Sequence, residues 1–493
     1  MMNFFKLAIL SMALPSLSYA QNDAVNFCGT TEVDPWLKHY FENRSVYATE
    51  SADTIFVPLT IHILGNDDGQ GYYPIHTLYE SLCTLNEDFS ASGIQFYIQE
   101  PINYINRSVW YDHPSFGAGI DMMQANNVYG TANCYFVANP AGNCGYYASR
   151  GNAIALSKGC SDPSDHTWAH ELGHFFSLPH TFVGWEGVRW EQGKSAKDYE
   201  GDVRRSIETV DGSNCSSAAD GFCDTPPDYL SYRWNCNGNQ TSNEVMMDPD
   251  SVKFQSDGSL FMSYANDACM NRFSFEQNEA MKANINFQRS ELITNSFPSA
   301  ILPVTAPQNP FPTDTLLVNP DNAFASWDIV DGASHYIIEL SRLPNFGYIL
   351  ARERIESNFY NFPELIPGIR YYWRVKAVNS NSFCTNYTDT NIFITSKTSG
   401  STAQFEDDQL ALAKTHYQTN EALSIISKLS NPLNAEWKIF NMNAQVLAKG
   451  QVDLSSGSER TVIHVPIGLV PGQYVIQFES SENAVAHRFV VIP

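Results

Sequence analysis

The run His170-Glu171-Leu172-Gly173-His174-Phe175-Phe176-Ser177-Leu178-Pro179-His180 constrains this chain more tightly than any other stretch. Residues four apart on a helix share a face, so His170 and His174 can present both imidazoles to one ion. The spacing predicts a helix over Asp165 to Ser177. Pro179 fits poorly inside a helix, so the chain should stop there, turn back and bring His180 to the same ion. Zinc suits such a set, because catalytic zinc sites take three protein ligands and keep a fourth position open. Glu171 would stand beside that position and take a proton from a zinc-bound water, whose pKa falls to about 7.

The rest of the chain suits an exported protein. At 493 residues it is too long for one core. It is 43% hydrophobic and 17% charged, an ordinary globular balance. A net charge of -24 argues against nucleic acid or an anionic membrane as partner. Met1 to Lys6, the apolar Leu7 to Leu17 and Ser18-Tyr19-Ala20 form an export signal over 1–20, too short to span a bilayer. No other segment is long enough to do so. The mature chain is then expected in an oxidising compartment, where cysteines pair.

Proline clusters at Pro298, Pro303, Pro307, Pro310 and Pro312 mark a stiff linker, and Thr398 to Ala403 marks a flexible one. Nine of the ten cysteines precede the first linker, which suggests one disulfide-bearing block followed by different material. Strands are predicted at Ile55 to Leu64, Ile94 to Ile98, Cys134 to Ala138 and Asn152 to Leu156, with a helix at Ile75 to Phe89. That is an α+β block. Alternating strands at Ala323 to Trp327, His335 to Leu340 and Tyr371 to Ala377 predict a small β-sandwich. Ala435 to Asn441, Thr461 to Val465, Gly472 to Phe478 and Ala486 to Ile492 predict another all-β unit. His335, His416, His464 and His487 are scattered there and read as structural or surface.

An H-E-x-x-H alone also arises by chance in ordinary helices. Here the third histidine completes a pattern that resembles the metzincin metalloproteases, H-E-x-x-H-x-x-G-x-x-H. Ser177 departs from it, standing where that family has glycine in a left-handed conformation, at a cost of roughly 1–2 kcal/mol. Phe261-Met262-Ser263-Tyr264 resembles the metzincin Met-turn, whose methionine lies beneath the metal. By the same resemblance, Tyr264 would steady the oxyanion of the tetrahedral intermediate.

Within the metzincins the chain resembles the pappalysin (cytophagalysin) family. The matching parts are His180-Thr181-Phe182, Asp220-Gly221-Phe222-Cys223-Asp224-Thr225-Pro226-Pro227, Asp267 to Phe273, Leu59 to Leu64 and Leu85 to Phe89. The resemblance covers about Ile55 to Gln288. It implies a short propeptide in which the cysteine of Cys28-Gly29-Thr30 takes the fourth zinc position. It further implies disulfides Cys215 to Cys236 and Cys223 to Cys269, and a structural calcium near Asp220, Asp224 and Thr225. Setting Cys28 aside leaves Cys83, Cys134, Cys144, Cys160, Cys215, Cys223, Cys236 and Cys269, an even set.

The Trp327 and Tyr371 to Ala377 pattern resembles a fibronectin type III domain. Trp437 to Asn441, Gly468 to Ile476 and Arg488 to Val491 resemble the C-terminal sorting domain of type IX secretion, without its usual Pro-Asn-Pro element. The expected organisation is signal peptide 1–20, propeptide 21–50, metzincin zinc metalloprotease 51–297, fibronectin type III-like domain 304–398 and sorting domain 405–493. The fold class is an α+β metzincin-like catalytic domain followed by two all-β sandwich domains. The expected function is zinc-dependent endopeptidase on protein or peptide substrates, by a monomer routed through type IX secretion to the cell surface or beyond. A surface adhesin on a degenerate protease scaffold is the alternative, against which the intact ligands and Glu171 speak.

Overall fold

The computed structural model describes residues 26–30, 32–47, 53–294, 304–313 and, within 316–492, all but 319, 321–322, 364, 397–409, 414–415, 420, 430–431, 442–444, 456, 466–467 and 480–483. The export signal and the second linker thus lie outside the described residues. The first block opens with strand β1 (Asn26–Cys28) and helices α1 (Pro35–Glu42) and α2 (Arg44–Tyr47). Then come β2 (Ile55–Gly65), α3 (Ile75–Asp88), β3 (Ile94–Ile98), β4 (Asn103–Asn106) and α4 (Ser108–Tyr111). They are followed by β5 (Asp112–His113), α5 (Phe116–Asn126), β6 (Ala132–Val137), β7 (Asn139–Pro140), β8 (Asn143–Ala148), β9 (Ala153–Ser157) and α6 (Thr167–Phe175).

The main sheet has the order β1-β8-β9-β6-β2-β3, with β4 also on β2. Strands β2, β6 and β9 are buried on nearly every residue, as expected when helices cover a mostly parallel sheet. β8 alone runs antiparallel to its inner neighbour β9, and β1 pairs with it in parallel as the outermost strand. Helix α3 packs Leu78, Leu82 and Leu85 into the core at the expected spacing. Helix α6 ends at Phe175, two residues earlier than the sequence predicts, because Ser177 already has φ +77° and reverses the chain.

The unassigned segment after Trp185 builds a small core of its own. Trp185, Trp190, Tyr199 and Tyr229 are buried against one another, with ring centroids 4.5–6.1 Å apart.

The second block has a five-stranded sheet with β14 (His335–Ser341) and β17 (Arg370–Val378) at its centre, and a two-stranded sheet of 324–326 and 359–361. They enclose Trp327, Trp373 and Phe393. The third block has five- and three-stranded sheets around Trp437, Ile439, Ile476 and Phe489. The chain is therefore mixed α/β at its start and all β after it. Among the described residues no helix is long and apolar enough to cross a membrane.

The first two blocks are not separate beads. Ile337, Val378 and Phe383 belong to the same core as the first block, and Tyr79 of α3 stacks on Phe383 and packs near His335. Ile98 N–H donates to Ser380 O at 3.0 Å. Cys83 of α3 is disulfide-bonded to Cys384, across the supposed boundary. The expectation of disulfides confined to the first block is thereby corrected, and so is the even set, since Cys134 is free and buried. The pairings implied by resemblance are also corrected. Cys215 bonds Cys223, and Cys236 bonds Cys269. The cause lies in the chain path: Trp234 N–H donates to Tyr264 O and Asn266 N–H to Trp234 O, so 234–236 runs beside 264–269 and carries Cys236 to Cys269. The fourth bond joins Cys144 to Cys160.

Candidate active site

Every residue of α6 is buried, His170, Glu171 and His174 included. After the helix, Leu178 N–H reaches back to Gly173 O at 2.9 Å, closing the turn that aims His180 at the helix face. The left-handed Ser177 is held on both sides: its hydroxyl donates to Asp34 Oδ2 at 2.9 Å and accepts from Asn284 Nδ2 at 2.5 Å. Those two partners offset the backbone strain that glycine would avoid.

The three imidazoles converge. His174 Nε2 lies 3.1 Å from His170 Nε2 and 3.1 Å from His180 Nε2. His170 Nδ1 faces Phe261 O at 2.6 Å, and His174 Nδ1 faces Leu178 O at 2.8 Å. A nitrogen facing a carbonyl must carry the proton, so Nε2 of each ring is a bare lone pair. Lone pairs turned on one another in a buried site repel unless a cation sits among them. Burial and the facing His180 hold His170 and His174 well below the ordinary imidazole value, which keeps them in the ligating neutral form. A tetrahedral zinc with bonds of about 2.0–2.1 Å would set its nitrogens about 3.3–3.4 Å apart, close to what is found. Cys28 completes the cluster: ligand atoms of Cys28, His170, His174 and His180 all lie within 4.8 Å of one another. Three nitrogens and a sulfur are a donor set that fits zinc.

Behind the ligands, Met262 is fully buried against the helix. A Cβ on Gly173 would come within 2.4 Å of Met262 Sδ, so the glycine of H-E-L-G-H is required by the methionine beneath it. Thr181 N–H donates to Met262 O at 3.1 Å. Asp228 ties the same two segments together. Its buried carboxylate accepts from Thr181 Oγ1 at 2.8 Å, Ser263 Oγ at 2.9 Å and Ser256 Oγ at 2.6 Å. Sequence reasoning missed Asp228, since nothing in the spacing of one carboxylate reveals which hydroxyls will meet it. It also missed Glu186, whose Oε1 is 3.7 Å from His180 Nδ1 and whose Oε2 accepts from Gly184 N–H at 2.8 Å.

Glu171 projects towards β8, where only a glycine leaves room: a Cβ on Gly145 would meet Glu171 Cγ at 2.8 Å. Burial pushes this carboxyl up to about 8, against hydrogen bonds from Cys28, Thr30 and Tyr147 that pull it down. Thr30 Oγ1 donates to Glu171 Oε2 at 3.3 Å. Tyr264 lies beside His170 and His180, and its hydroxyl donates to Cys28 O at 3.0 Å. All five predicted site residues thus meet in one place. Asp220, Asp224 and Thr225 do not form a comparable group. Thr225 Oγ1 bonds Asp220, and Asp224 accepts from Ser274 Oγ and Glu276 N–H. Calcium finds no support there.

No family model matches the chain. It is similar to fungal extracellular metalloproteases. An extracellular metalloprotease of Colletotrichum graminicola is 29% identical over 29% of this chain and 57% of its own length. One of Pyricularia oryzae is 26% identical over 37% of this chain and 74% of its own. Extracellular metalloprotease 1 of Coccidioides posadasii is 26% identical over 56% of this chain and 95% of its own. The chain thus spans little more than half of the first relative and nearly all of the last. Among solved structures, the FN1–FN3 domains of chicken CNTN1 are matched at TM-score 0.19 and 13% identity, over 39% of this chain and 69% of that one, too slight a likeness to bear on the fold.

Proposed function

We propose that this chain is a secreted zinc endopeptidase of the metzincin, pappalysin-like type, latent in the form described. The observation that carries the reading is the convergence of three neutral Nε2 lone pairs and one thiol beside a buried carboxylate. His170, His174 and His180 would hold zinc. When bound, zinc supplies a Lewis acid that polarises a carbonyl and acidifies water. Glu171 takes the proton from the attacking water and returns it to the leaving amine. The Tyr264 hydroxyl, which donates to the Cys28 carbonyl in this form, is positioned to donate to a substrate carbonyl once Cys28 has left. Asp228 and Glu186 position the loop that carries His180.

In this reading Cys28 fills the place that water needs. The 51–297 region acts as the catalytic unit, 304–398 as a fibronectin type III-like brace and 405–493 as a sorting domain for type IX secretion. Protein or peptide substrates are the partners, and the working form is a monomer outside the cell or on its surface. The test is casein or gelatin cleavage by the processed protein with and without a zinc chelator. Cleavage lost on chelation and regained with zinc supports the reading, and chelator-resistant cleavage or none overturns it.

A further inference from the structure

The amino-terminal segment makes two unlike sets of contacts. Its first part, β1, touches the body along a single strand edge. Asn26 N–H donates to Gly142 O at 3.1 Å and Gly29 N–H to Gly145 O at 2.9 Å, while Thr30 Oγ1 exchanges bonds with the Tyr147 main chain. From there Cys28 and Phe27 reach the histidines, with the Phe27 ring 5.0 Å from His170.

The second part is built into the body. Asp34 caps α1 through Trp36 N–H at 2.9 Å and accepts the hydroxyl of Ser177, the residue that turns the chain towards His180. Trp36, Leu37 and Tyr40 are buried in the same core as Leu172 and Phe175. Phe41 meets Phe222 at 5.1 Å and Tyr47 meets Phe287 at 5.0 Å. Arg44 bonds Glu276 at 2.8 Å and Gly221 O at 3.2 Å. Taking 34–47 away would expose apolar rings and strip the left-handed Ser177 of one of its two partners. Between the parts, Glu32 is exposed and Val33 half-buried, so this link is open to a protease.

We propose that activating cleavage falls between Thr30 and Asp34, rather than near residue 50, so that β1 leaves while α1 and α2 remain as permanent parts of the catalytic unit. This rests on the metalloprotease reading with Cys28 as the blocking ligand. Water adds across one peptide bond of the link, leaving a carboxylate on the departing piece and an amine on the retained chain. The departing piece then has only a short strand edge to hold it, and its thiol leaves with it.

The test uses two full-length variants, each with a site-specific protease recognition sequence, inserted after Glu32 in one and after Glu50 in the other. Each is cut, then followed by size-exclusion, mass and chelator-sensitive casein cleavage. Cutting after Glu32 is expected to raise hydrolysis by about 100-fold, as for a site going from about 1% to 99% open, with 34–47 retained. Cutting after Glu50 should leave the fragment bound and hydrolysis at the uncut level. Activity after the Glu50 cut, with 34–47 lost, overturns the cleavage position but not the metalloprotease reading. Failure of both cuts to yield chelator-sensitive cleavage overturns both. The mass of naturally activated enzyme gives a second reading: a first residue at 31–34 agrees, and one near 51 refutes.

Discussion

The hydroxyl of Ser177 lies 2.9 Å from Oδ2 of Asp34, joining the turn after helix α6 to the cap of helix α1. Ser177→Ala keeps the left-handed backbone but removes a bond to a charged acceptor, and should cost about 1–3 kcal/mol in urea denaturation. In a double-mutant cycle with Asp34→Ala the two losses should be non-additive. Strict additivity would mean the contact carries no energy.

Glu171→Ala removes the proton carrier but none of the ligands. Its zinc content by elemental analysis and its melting midpoint should match the parent. Peptide hydrolysis by the processed enzyme should fall by at least about 10²–10⁴-fold, the usual worth of a general base. Near-normal turnover would remove Glu171 from the mechanism.

Chelation should destabilise the fold. Zinc at about 1,000 times its Kd adds about 4.1 kcal/mol, or about 8–16 °C in Tm for a catalytic unit of this size. Differential scanning fluorimetry with and without chelator measures it. An unchanged midpoint would mean that no ion is held among the histidines.

The pH dependence of stability should fall on the alkaline side. Burial pushes Asp220 up to about 8, and burial with Asp220 and Asp228 pushes Glu208 up to about 9. Both values lie above the unfolded values of about 4, so the folded state holds these protons more tightly. Their contribution is complete below about pH 4 and is lost as the pH rises through 8 to 9. Urea midpoints measured from pH 6 to 9.5 should decline, and Asp220→Asn with Glu208→Gln should flatten the decline. A flat parent profile would contradict it.

Much of the site was legible because its chemistry is local. His170, Glu171, His174 and His180 lie within one short run, where helical period and a proline suffice to predict convergence. Helix α3 and strands β2 and β3 were readable for the same reason, since apolar period follows local geometry. The disulfides were not, because partners are chosen by chain path: Cys236 meets Cys269 only because 234–236 lies along 264–269. Nor could Gly173 and Gly145 be recognised as spacers, for the atoms they make room for, Met262 Sδ and Glu171 Cγ, arrive from other segments. The domain boundary misled in the same way. A run of prolines shows where the chain is stiff, not whether the parts on either side touch.

The Cys83–Cys384 bond governs how this molecule can be divided. A shortened version ending in the proline-rich stretch would carry a stray thiol on α3 and leave Tyr79 without its aromatic cover, inviting mispaired dimers. Conversely, a nick in that stretch would release nothing under oxidising conditions, and the pieces would part only after a reductant had acted. Anyone preparing the catalytic region alone should therefore replace Cys83 or keep the chain through Cys384.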